Sequence, residues 1–332
     1  MNRYVRLLAT TAVLVHGPHA AAESQWTHYA GDQGAQQYSP LDQINADNVA
    51  DLAVAWQYRS GELARRTEFQ NATAKVQVNP ILLPAAAGGH LVFCTPFNRL
   101  VALDPERGTE RWIYDPDIRI GGYATENGPQ GLDSPAFANC RGVAYWEDTA
   151  AQSRSGCRHR LLMATNDLRL IAVDAASGRL CPGFGNGGIV AVEPEVLAAT
   201  PAAAVGEVRF SNPPVVVNGV AIVGSGVRDN HRYDAPSGAV RAFDARTGEA
   251  RWSFDPVPRT PATAARLGWE GDTAAQTGGA NVWGMMSADE GRDLVFLPTS
   301  GPSPDFFGGT RPGDNRYADS IVALRASTDE VV

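Results

Sequence analysis

Arginines, aspartate–asparagine pairs and tryptophans are residue types in this chain that can bind ligands, and Arg141, Asp229 with Asn230, and Trp283 are examples. Arg141 carries a guanidinium fork, which matches the two oxygens of a carboxylate. Asp229 and Asn230 are adjacent and offer carboxylate and carbonyl oxygens, which hard divalent cations prefer. Trp283 presents a flat indole that can stack on another ring. An ion pair, a turn and a core aromatic are the ordinary alternatives, so the elements that position these residues decide between them.

A short cassette recurs along the chain. Its copies are residues 100–104 with Gly108 and Trp112, residues 170–174 with Gly178, and residues 240–244 with Gly248 and Trp252. The closing aspartates, Asp104, Asp174 and Asp244, are 70 residues apart, and a glycine follows each of them after four residues. Pro182 stands where the second copy would have its tryptophan. A fixed period of this length indicates repeated supersecondary units.

Each cassette predicts two antiparallel strands joined by a tight turn. The aspartate can accept hydrogen bonds from its own turn, the glycine supplies a positive φ, and the tryptophan fills the space between neighbouring sheets. Sheets that repeat in this way form a β-propeller, typically of 4–8 four-stranded blades. The expected fold class is therefore all-β. An all-β sandwich with chance similarity between hairpins is the alternative.

Residues 1–23 read as an export signal peptide, with a basic start, a short apolar run and a small-residue cleavage site. The apolar run is too short to span a bilayer, and no other stretch is long enough, so we expect no transmembrane segment. The mature chain is expected in the periplasm. A net charge of -8 argues against nucleic acid as a partner.

The four cysteines are expected in a compartment that permits disulfides. Cys140 and Cys157 lie in one segment between strands, and we expect them to pair with each other. The sequence holds no Cys-x-x-Cys-His motif, so no c-type haem is expected on this chain.

A fourth cassette begins at residues 321–324, but Arg325 stands at the aspartate position and Asp329 at the glycine position. The sequence ends at Val332, before the tryptophan. From this we expect residues 24–332 to form an incomplete propeller of about four blades, with exposed sheet edges. A fragment, half of a split protein and a non-functional remnant are the open alternatives. A second chain that supplies further blades is a candidate partner.

Several stretches outside the repeat also resemble the sequence of a known protein family. They are residues 26–32 (WTHYAGD), 38–45 (YSPLDQIN), 52–61, 140–146 (CRGVAYW), 304–309 (PDFFGG) and 311–317 (RPGDNRY). Together they resemble the PQQ-dependent dehydrogenases, or quinoproteins, and specifically the amino-terminal part of the glucose/quinate dehydrogenase branch. The resemblance implies an eight-bladed propeller that binds pyrroloquinoline quinone (PQQ) and a divalent cation, usually Ca²⁺. It also implies oxidation of a CH–OH group of a sugar, polyol or alcohol, with electrons passed to a quinone-type respiratory acceptor.

The same resemblance assigns residues to the site. The expected cofactor-binding residues are Gln77, Arg141, Ser211, Asn230, Asn281 and Trp283, and the expected metal ligands are Asp229 and Ser303. Ser303 is included because Gly301 stands where many relatives have an asparagine ligand. Arg141 would bind a PQQ carboxylate, and the PQQ ring would lie on Trp283.

The catalytic base of the family is an aspartate just beyond the fourth cassette, which would fall after Val332. We therefore expect no catalytic residue within these 332 residues and no turnover by this chain alone. A non-catalytic exported β-propeller that acts as a scaffold is the alternative function. It would need the cassettes but not Arg141, Asp229 and Trp283 in their present settings.

Overall fold

The protein is described by a computed structural model, which covers residues 26–66, 74–118, 123–125, 128–130, 138–152, 155–198, 207–230 and 232–332. The predicted signal peptide, residues 1–23, lies outside the described residues.

The regular secondary structure of the described chain consists mainly of short strands. They are β1 (Ala74–Val76), β2 (Ile81–Leu82), β3 (Leu91–Cys94), β4 (Leu100–Leu103), β5 (Glu110–Tyr114), β6 (Tyr123–Thr125), β7 (Gly128–Gln130), β8 (Ala138–Cys140), β9 (Ala144–Glu147), β10 (His159–Ala164), β11 (Arg169–Asp174), β12 (Ile189–Ala191), β13 (Val208–Arg209), β14 (Val215–Val217), β15 (Val220–Val223), β16 (Gly226–Val227), β17 (Val240–Asp244), β18 (Ala250–Phe254), β19 (Ser287–Asp289), β20 (Leu294–Pro298) and β21 (Ile321–Arg325).

The helices are short and lie in the connections. They are α1 (Glu62–Arg65), α2 (Glu193–Ala198), α3 (Pro261–Arg266) and α4 (Thr273–Gln276), with 3₁₀ turns at Val49–Asp51, Ala85–Ala87, Glu290–Arg292 and Gly308–Thr310. Within the described ranges, no helix has both the length and the apolar character that crossing a bilayer requires.

Four antiparallel sheets follow one another along the chain. Three have four strands, in the orders β2-β3-β4-β5, β9-β10-β11-β12 and β14-β15-β17-β18, and the last has three, β19-β20-β21. Strand order follows chain order within each sheet, apart from β16, which pairs with β13. This serial arrangement of antiparallel sheets is the blade pattern of a β-propeller, and the all-β prediction is confirmed.

The apolar core lies between successive sheets. Leu161 and Met163 of β10 belong to the cluster shared with the first sheet, and Leu162 and Ala164 of the same strand belong to the cluster shared with the third. A third cluster joins the third and fourth sheets. Alternate residues of a strand point to opposite faces, so a strand buried on both faces reads as a continuous apolar run. The sheets therefore stack face to face.

The turns of the cassettes form as their residue types predict. Asp104 accepts hydrogen bonds from the backbone N–H groups of Glu106 and Arg107, both at 2.9 Å. Gly108 has φ +66° and donates its N–H to the Asp104 carbonyl at 2.8 Å. The turns at Asp174 and Asp244 repeat the aspartate–glycine hydrogen bond at the same distance.

The tryptophan of one sheet packs against the cassette glycine of the next. A Cβ atom built on Gly178 would lie 2.4 Å from the Trp112 indole, and one built on Gly108 would lie 2.4 Å from the Trp56 indole. Trp56 therefore plays the same part before the first sheet as Trp112 does after it. In the copy without tryptophan, Val190 and Phe184 pack against Gly248 instead.

The fourth cassette forms the same turn without its two usual residues. Asp329 has φ +63° and donates its N–H to the Arg325 carbonyl at 2.9 Å. The Trp252 indole N–H donates to the Ala326 carbonyl at 2.8 Å, so the indole of the third sheet meets this turn as well. Aspartate tolerates the left-handed conformation better than most residues with a side chain, which explains why it can replace glycine here.

The predicted Cys140–Cys157 pairing is wrong. Disulfides join Cys94 to Cys140, with Cα atoms 5.9 Å apart, and Cys157 to Cys181, with Cα atoms 5.7 Å apart. Strand β9 separates Cys140 from Cys157, so the two cysteines lie at opposite ends of that strand. Cys94, at the end of β3 on the neighbouring sheet, reaches Cys140 instead.

The segments that lead into the first strand of each sheet hydrogen-bond to one another. The Asn79 N–H, just before β2, donates to the Arg141 carbonyl at 3.0 Å, and the Arg141 N–H, before β9, donates to the Ser211 carbonyl at 3.0 Å. The Asn212 side chain, before β14, donates to the Gly284 carbonyl, before β19, at 2.8 Å. These lateral contacts bring residues from all four sheets to one place.

Candidate functional site

An open cavity of about 410 Å³ lies where the four leading segments meet. Its lining residues come from three of these segments and from the connections around them: Arg141, Arg209, Ser211, Gly226, Val227, Arg228, Asp229, Asn230, Asn281, Trp283 and Asp305. Six of the eight residues predicted from the sequence line it. The volume falls within the range of small-molecule sites, about 300–1,000 Å³.

Arg141 is held in place by neutral oxygen atoms. Its guanidinium donates to Ser211 Oγ and to Asn212 Oδ1, both at 2.9 Å, and lies 3.5 Å from the Trp283 carbonyl. Burial, with a second contribution from nearby Arg209, lowers the pKa of Arg141 below its ordinary value. None of these three hydrogen-bond partners is a carboxylate, and Arg141 lines the cavity. This is the arrangement expected of a group that binds an anion.

Trp283 is half-exposed at the edge of the same cavity. Its exposed fraction is 52%, which is unusual for an indole and leaves part of the ring available to a ligand. The Arg141 guanidinium lies 5.7 Å from the centre of the ring. A flat anionic ligand could therefore contact a ring face and a positive charge together.

Two carboxylates also line the cavity. Asp229 follows β16, and Asp305 lies in the connection between β20 and β21. Burial raises the pKa of Asp229 above its ordinary value, and the neighbouring Asp305 carboxylate raises it further. Burial likewise raises the pKa of Asp305. Among the described residues, Asp305 Oδ1 is buried with no hydrogen-bond partner.

Ser211 and Asn281 line the cavity with side chains that also serve the framework. Ser211 is 3% exposed and accepts the hydrogen bond from Arg141 described above. Asn281 is 1% exposed, its amide donates to the Ser225 carbonyl at 2.8 Å, and its Oδ1 lies 3.3 Å from Ser300 Oγ. Asn230, in contrast, is exposed beside Asp229.

Gln77 is not part of the cavity lining. It directly follows Val76, which pairs with Cys140 in the parallel register of β1 and β8, so Gln77 comes just after that pair, as Arg141 does on the other chain segment. Its Oε1 accepts a hydrogen bond from the Asn139 amide at 2.8 Å, and the residue is otherwise exposed. The structure thus brings Gln77 to the strand next to Arg141 but not into the cavity.

Ser303 is not brought to the cavity either. Its side chain is fully buried, its N–H donates to the Gly278 carbonyl at 3.0 Å, and its Oγ faces Gly279. Asp305 is next to residue 301, where many relatives have an asparagine. A Cβ atom built on Gly301 would lie 3.1 Å from Asp305 Cβ, so the Asp305 side chain begins close to where that asparagine side chain would begin. Asp305 therefore lines the cavity, whereas Ser303, the predicted metal ligand, does not.

Sequence reasoning missed three charged residues of the lining: Arg209, Arg228 and Asp305. A signal for Arg209 was available, because it precedes Ser211 by two residues and alternate residues of an extended segment share a face. Asp305 was part of the PDFFGG stretch that carried the resemblance, but nothing in that stretch indicates where its side chain points.

The oxygen donors of the cavity are few. Within the described ranges, no group of three or more His, Cys, Asp or Glu side chains is placed to hold a metal ion. Two carboxylates, those of Asp229 and Asp305, and the Asn230 amide are part of the cavity lining. Such hard oxygen donors suit Ca²⁺, which also accepts carbonyl oxygens and exogenous ligands.

Replacing Asp229 by asparagine is expected to raise the melting temperature in the presence of a chelator at pH 7. The folded-state pKa of Asp229 is raised, so the wild-type chain loses stability as the pH rises from about 4 through that pKa. The uncharged amide avoids this loss. Thermal unfolding between pH 3 and pH 8 measures it, and the difference between the two proteins should vanish at the acidic end.

The matched control is Asp289→Asn. Hydrogen bonds from the Arg292 side chain and backbone hold the pKa of Asp289 below its ordinary value, so its neutralisation should not raise the melting temperature. A lower melting temperature for Asp229→Asn at pH 7 in chelator would contradict the repulsion between Asp229 and Asp305.

The chain matches one family model along its described length. Residues 26–332 match the model described as "PQQ: Glucose/ethanol/alcohol dehydrogenase, beta-propeller domain". Among curated proteins, the quinoprotein glucose dehydrogenase of Escherichia coli (strain K12) is 33% identical over 315 residues, which are 93% of this chain and 36% of the relative. The quinate/shikimate dehydrogenase (quinone) of Acinetobacter baylyi is 32% identical, over 93% of this chain and 37% of the relative.

The solved structures agree with this result. The quinohemoprotein alcohol dehydrogenase of Comamonas testosteroni superposes with a TM-score of 0.69 and 26% identity, over 95% of this chain and 41% of that one. This chain therefore spans between about a third and two-fifths of the length of the relatives that it matches.

Proposed function

Because the chain belongs to the family of PQQ-dependent glucose, ethanol and alcohol dehydrogenases, we propose that the cavity between Arg141, Asp229 and Trp283 binds PQQ together with a divalent cation. The observation that carries the proposal is the gathering of a guanidinium, a half-exposed indole and carboxylates around one cavity, where Arg141 and Trp283 meet although 142 residues separate them in sequence. A scaffold would have no need to hold these charges in a half-buried cavity, where they cost stability.

The residues of the cavity fit the chemistry of PQQ, which has a flat ring system and three carboxylates. Arg141 is fixed by Ser211 and Asn212, so its guanidinium is already ordered at the cavity before a carboxylate arrives. Trp283 would set the plane of the ring by stacking. PQQ supplies, when bound, the quinone that accepts a hydride from the substrate carbon.

The cation would be held by Asp229 and Asp305, with Asn230 as a neutral donor. Removing the charge repulsion between the two carboxylates is what a divalent cation would contribute to this apoprotein. Ca²⁺ is the proposed ion, because the donors are all oxygen atoms.

The proposed reaction of the protein is oxidation of a CH–OH group in a sugar, polyol or alcohol, with electrons passed to a quinone-type respiratory acceptor. The range of substrates follows the relatives, whose names include glucose, glycerol, quinate and alcohol dehydrogenases. We also propose that residues 1–23 direct export to the periplasm and are cleaved there, which amino-terminal sequencing of the mature protein would test.

Equilibrium dialysis of the purified chain against PQQ, with Ca²⁺ or with a chelator, tests the cofactor assignment. We expect saturable binding of one PQQ per chain and tighter binding with Ca²⁺, together with a PQQ-dependent rise in melting temperature. Absence of saturable PQQ binding under both conditions would contradict the proposal and favour the scaffold alternative.

A further inference from the structure

The cavity wall beside Arg141 carries a second guanidinium that no part of the family resemblance assigned. Arg209 ends β13 and is directly opposite Gly226 of β16 in the antiparallel register. A Cβ atom on Gly226 would lie 3.6 Å from Cγ, Nε and Cζ of Arg209, so the Arg209 side chain runs along the surface of this glycine. Both Arg209 and Gly226 line the cavity.

Arg209 lies near two other charged residues of the cavity, Arg141 and Asp229. It precedes Ser211 by two residues in an extended segment, and Ser211 holds the Arg141 guanidinium at 2.9 Å. The positive charge of Arg209 contributes to the lowered pKa of Arg141 and also acts on Asp229, where it opposes the increase in pKa. Arg209 therefore lies near Arg141 and near the carboxylate of Asp229.

Two guanidiniums that face one half-buried cavity repel each other, and an anion bound between or beside them relieves that repulsion. A ligand with one carboxylate would satisfy only one fork. A rigid ligand with several carboxylates can engage each fork with a different group. PQQ has that composition.

We infer that Arg209 is a second PQQ-binding arginine, whose guanidinium binds a different carboxylate of the cofactor from the one bound by Arg141. The inference rests on the proposed function, because it concerns the same cavity. It adds a determinant of cofactor affinity and orientation: two separate carboxylate contacts fix the rotation of the ring over Trp283, which stacking alone leaves free.

Equilibrium dialysis of PQQ with the variant Arg209→Gln tests the inference. We expect about 10-fold weaker binding of PQQ, as the loss of one charge-assisted contact implies. PQQ trimethyl ester, which lacks the carboxylate charges, should bind the wild type and the variant with equal affinity. The combined variant Arg141→Gln, Arg209→Gln should bind PQQ more weakly than either single variant if the arginines bind separate carboxylates.

Arg292→Gln serves as the matched control for net charge. Arg292 is exposed, pairs with Asp289 at 2.6 Å and does not line the cavity, so PQQ affinity should be unchanged. Arg209→Lys keeps the positive charge but not the fork and should bind PQQ with intermediate affinity. It also provides the measurement if Arg209→Gln fails to fold.

The outcomes separate this inference from the proposed function. If Arg209→Gln and Arg209→Lys bind PQQ as tightly as the wild type while Arg141→Gln binds weakly, the inference is wrong and the proposed function stands. If the wild-type chain does not bind PQQ, the proposed function fails and the inference fails with it. An equal loss of PQQ and ester affinity in Arg209→Gln would also contradict a contact with a carboxylate.

Discussion

Arg141→Gln is expected to weaken PQQ binding about 100-fold. A charge-assisted hydrogen bond contributes about 1.5–3 kcal/mol, and this residue would make a forked contact to a carboxylate. The loss should exceed that for Arg209, because Arg141 also fixes Ser211 and Asn212, both at 2.9 Å, on the leading segment of the third sheet. Equilibrium dialysis against PQQ measures the change.

Arg141→Lys distinguishes charge from geometry at the same position. Lysine keeps the positive charge but cannot donate to Ser211, Asn212 and a ligand carboxylate in one plane, so we expect a loss between those of the wild type and Arg141→Gln. PQQ affinity equal to that of the wild type in Arg141→Gln, with an unchanged melting temperature, would exclude Arg141 from the binding site.

Gly278→Ala is expected to destabilise the protein by about 3 kcal/mol or more and to abolish PQQ binding. A Cβ atom at residue 278 would lie 1.7 Å from the Ala235 carbonyl oxygen, so the two backbone segments have to separate. The segment from Gly278 leads directly to Asn281 and Trp283, and its displacement moves the indole. Urea unfolding and equilibrium dialysis measure the two effects.

Gly183→Ala is the control for this substitution. No heavy atom lies within 4 Å of a Cβ atom at residue 183, so the unfolding midpoint and the PQQ affinity should remain close to those of the wild type. A Gly278→Ala variant with the midpoint of the wild type would show that the contact between residues 235 and 278 is not a constraint on the fold.

Much of the fold could be predicted because its determinants are local. The Asp104–Gly108 turn depends on residues four apart, and the alternation of buried residues along β10 depends on the two-residue period of a strand. The same local physics accounts for the fourth turn, where Asp329 adopts φ +63° without a glycine. A repeated pattern of short-range interactions is visible in sequence whatever surrounds it.

The disulfides could not be predicted in the same way. The Cys140–Cys157 pairing was inferred from nearness in sequence, whereas the bond from Cys140 to Cys94 spans 46 residues and joins neighbouring sheets. Strand β9 carries the chain away from Cys140 before Cys157 is reached. Pairing follows distance in space, which depends on how successive sheets stack.

The sequence by itself determined the strands, the turns, the repeat and the residue types that a charged flat cofactor needs, because each of these is set by a few neighbouring residues. Only the tertiary structure decided which side chains share the cavity. It added Arg209 and Asp305 and left out Gln77 and Ser303. The physical reason is that the leading segments meet through lateral hydrogen bonds, such as that from the Arg141 N–H to the Ser211 carbonyl, across 70 residues of sequence. Where two leading segments meet, the direction of a side chain depends on both segments, and sequence neighbours do not show which segments meet.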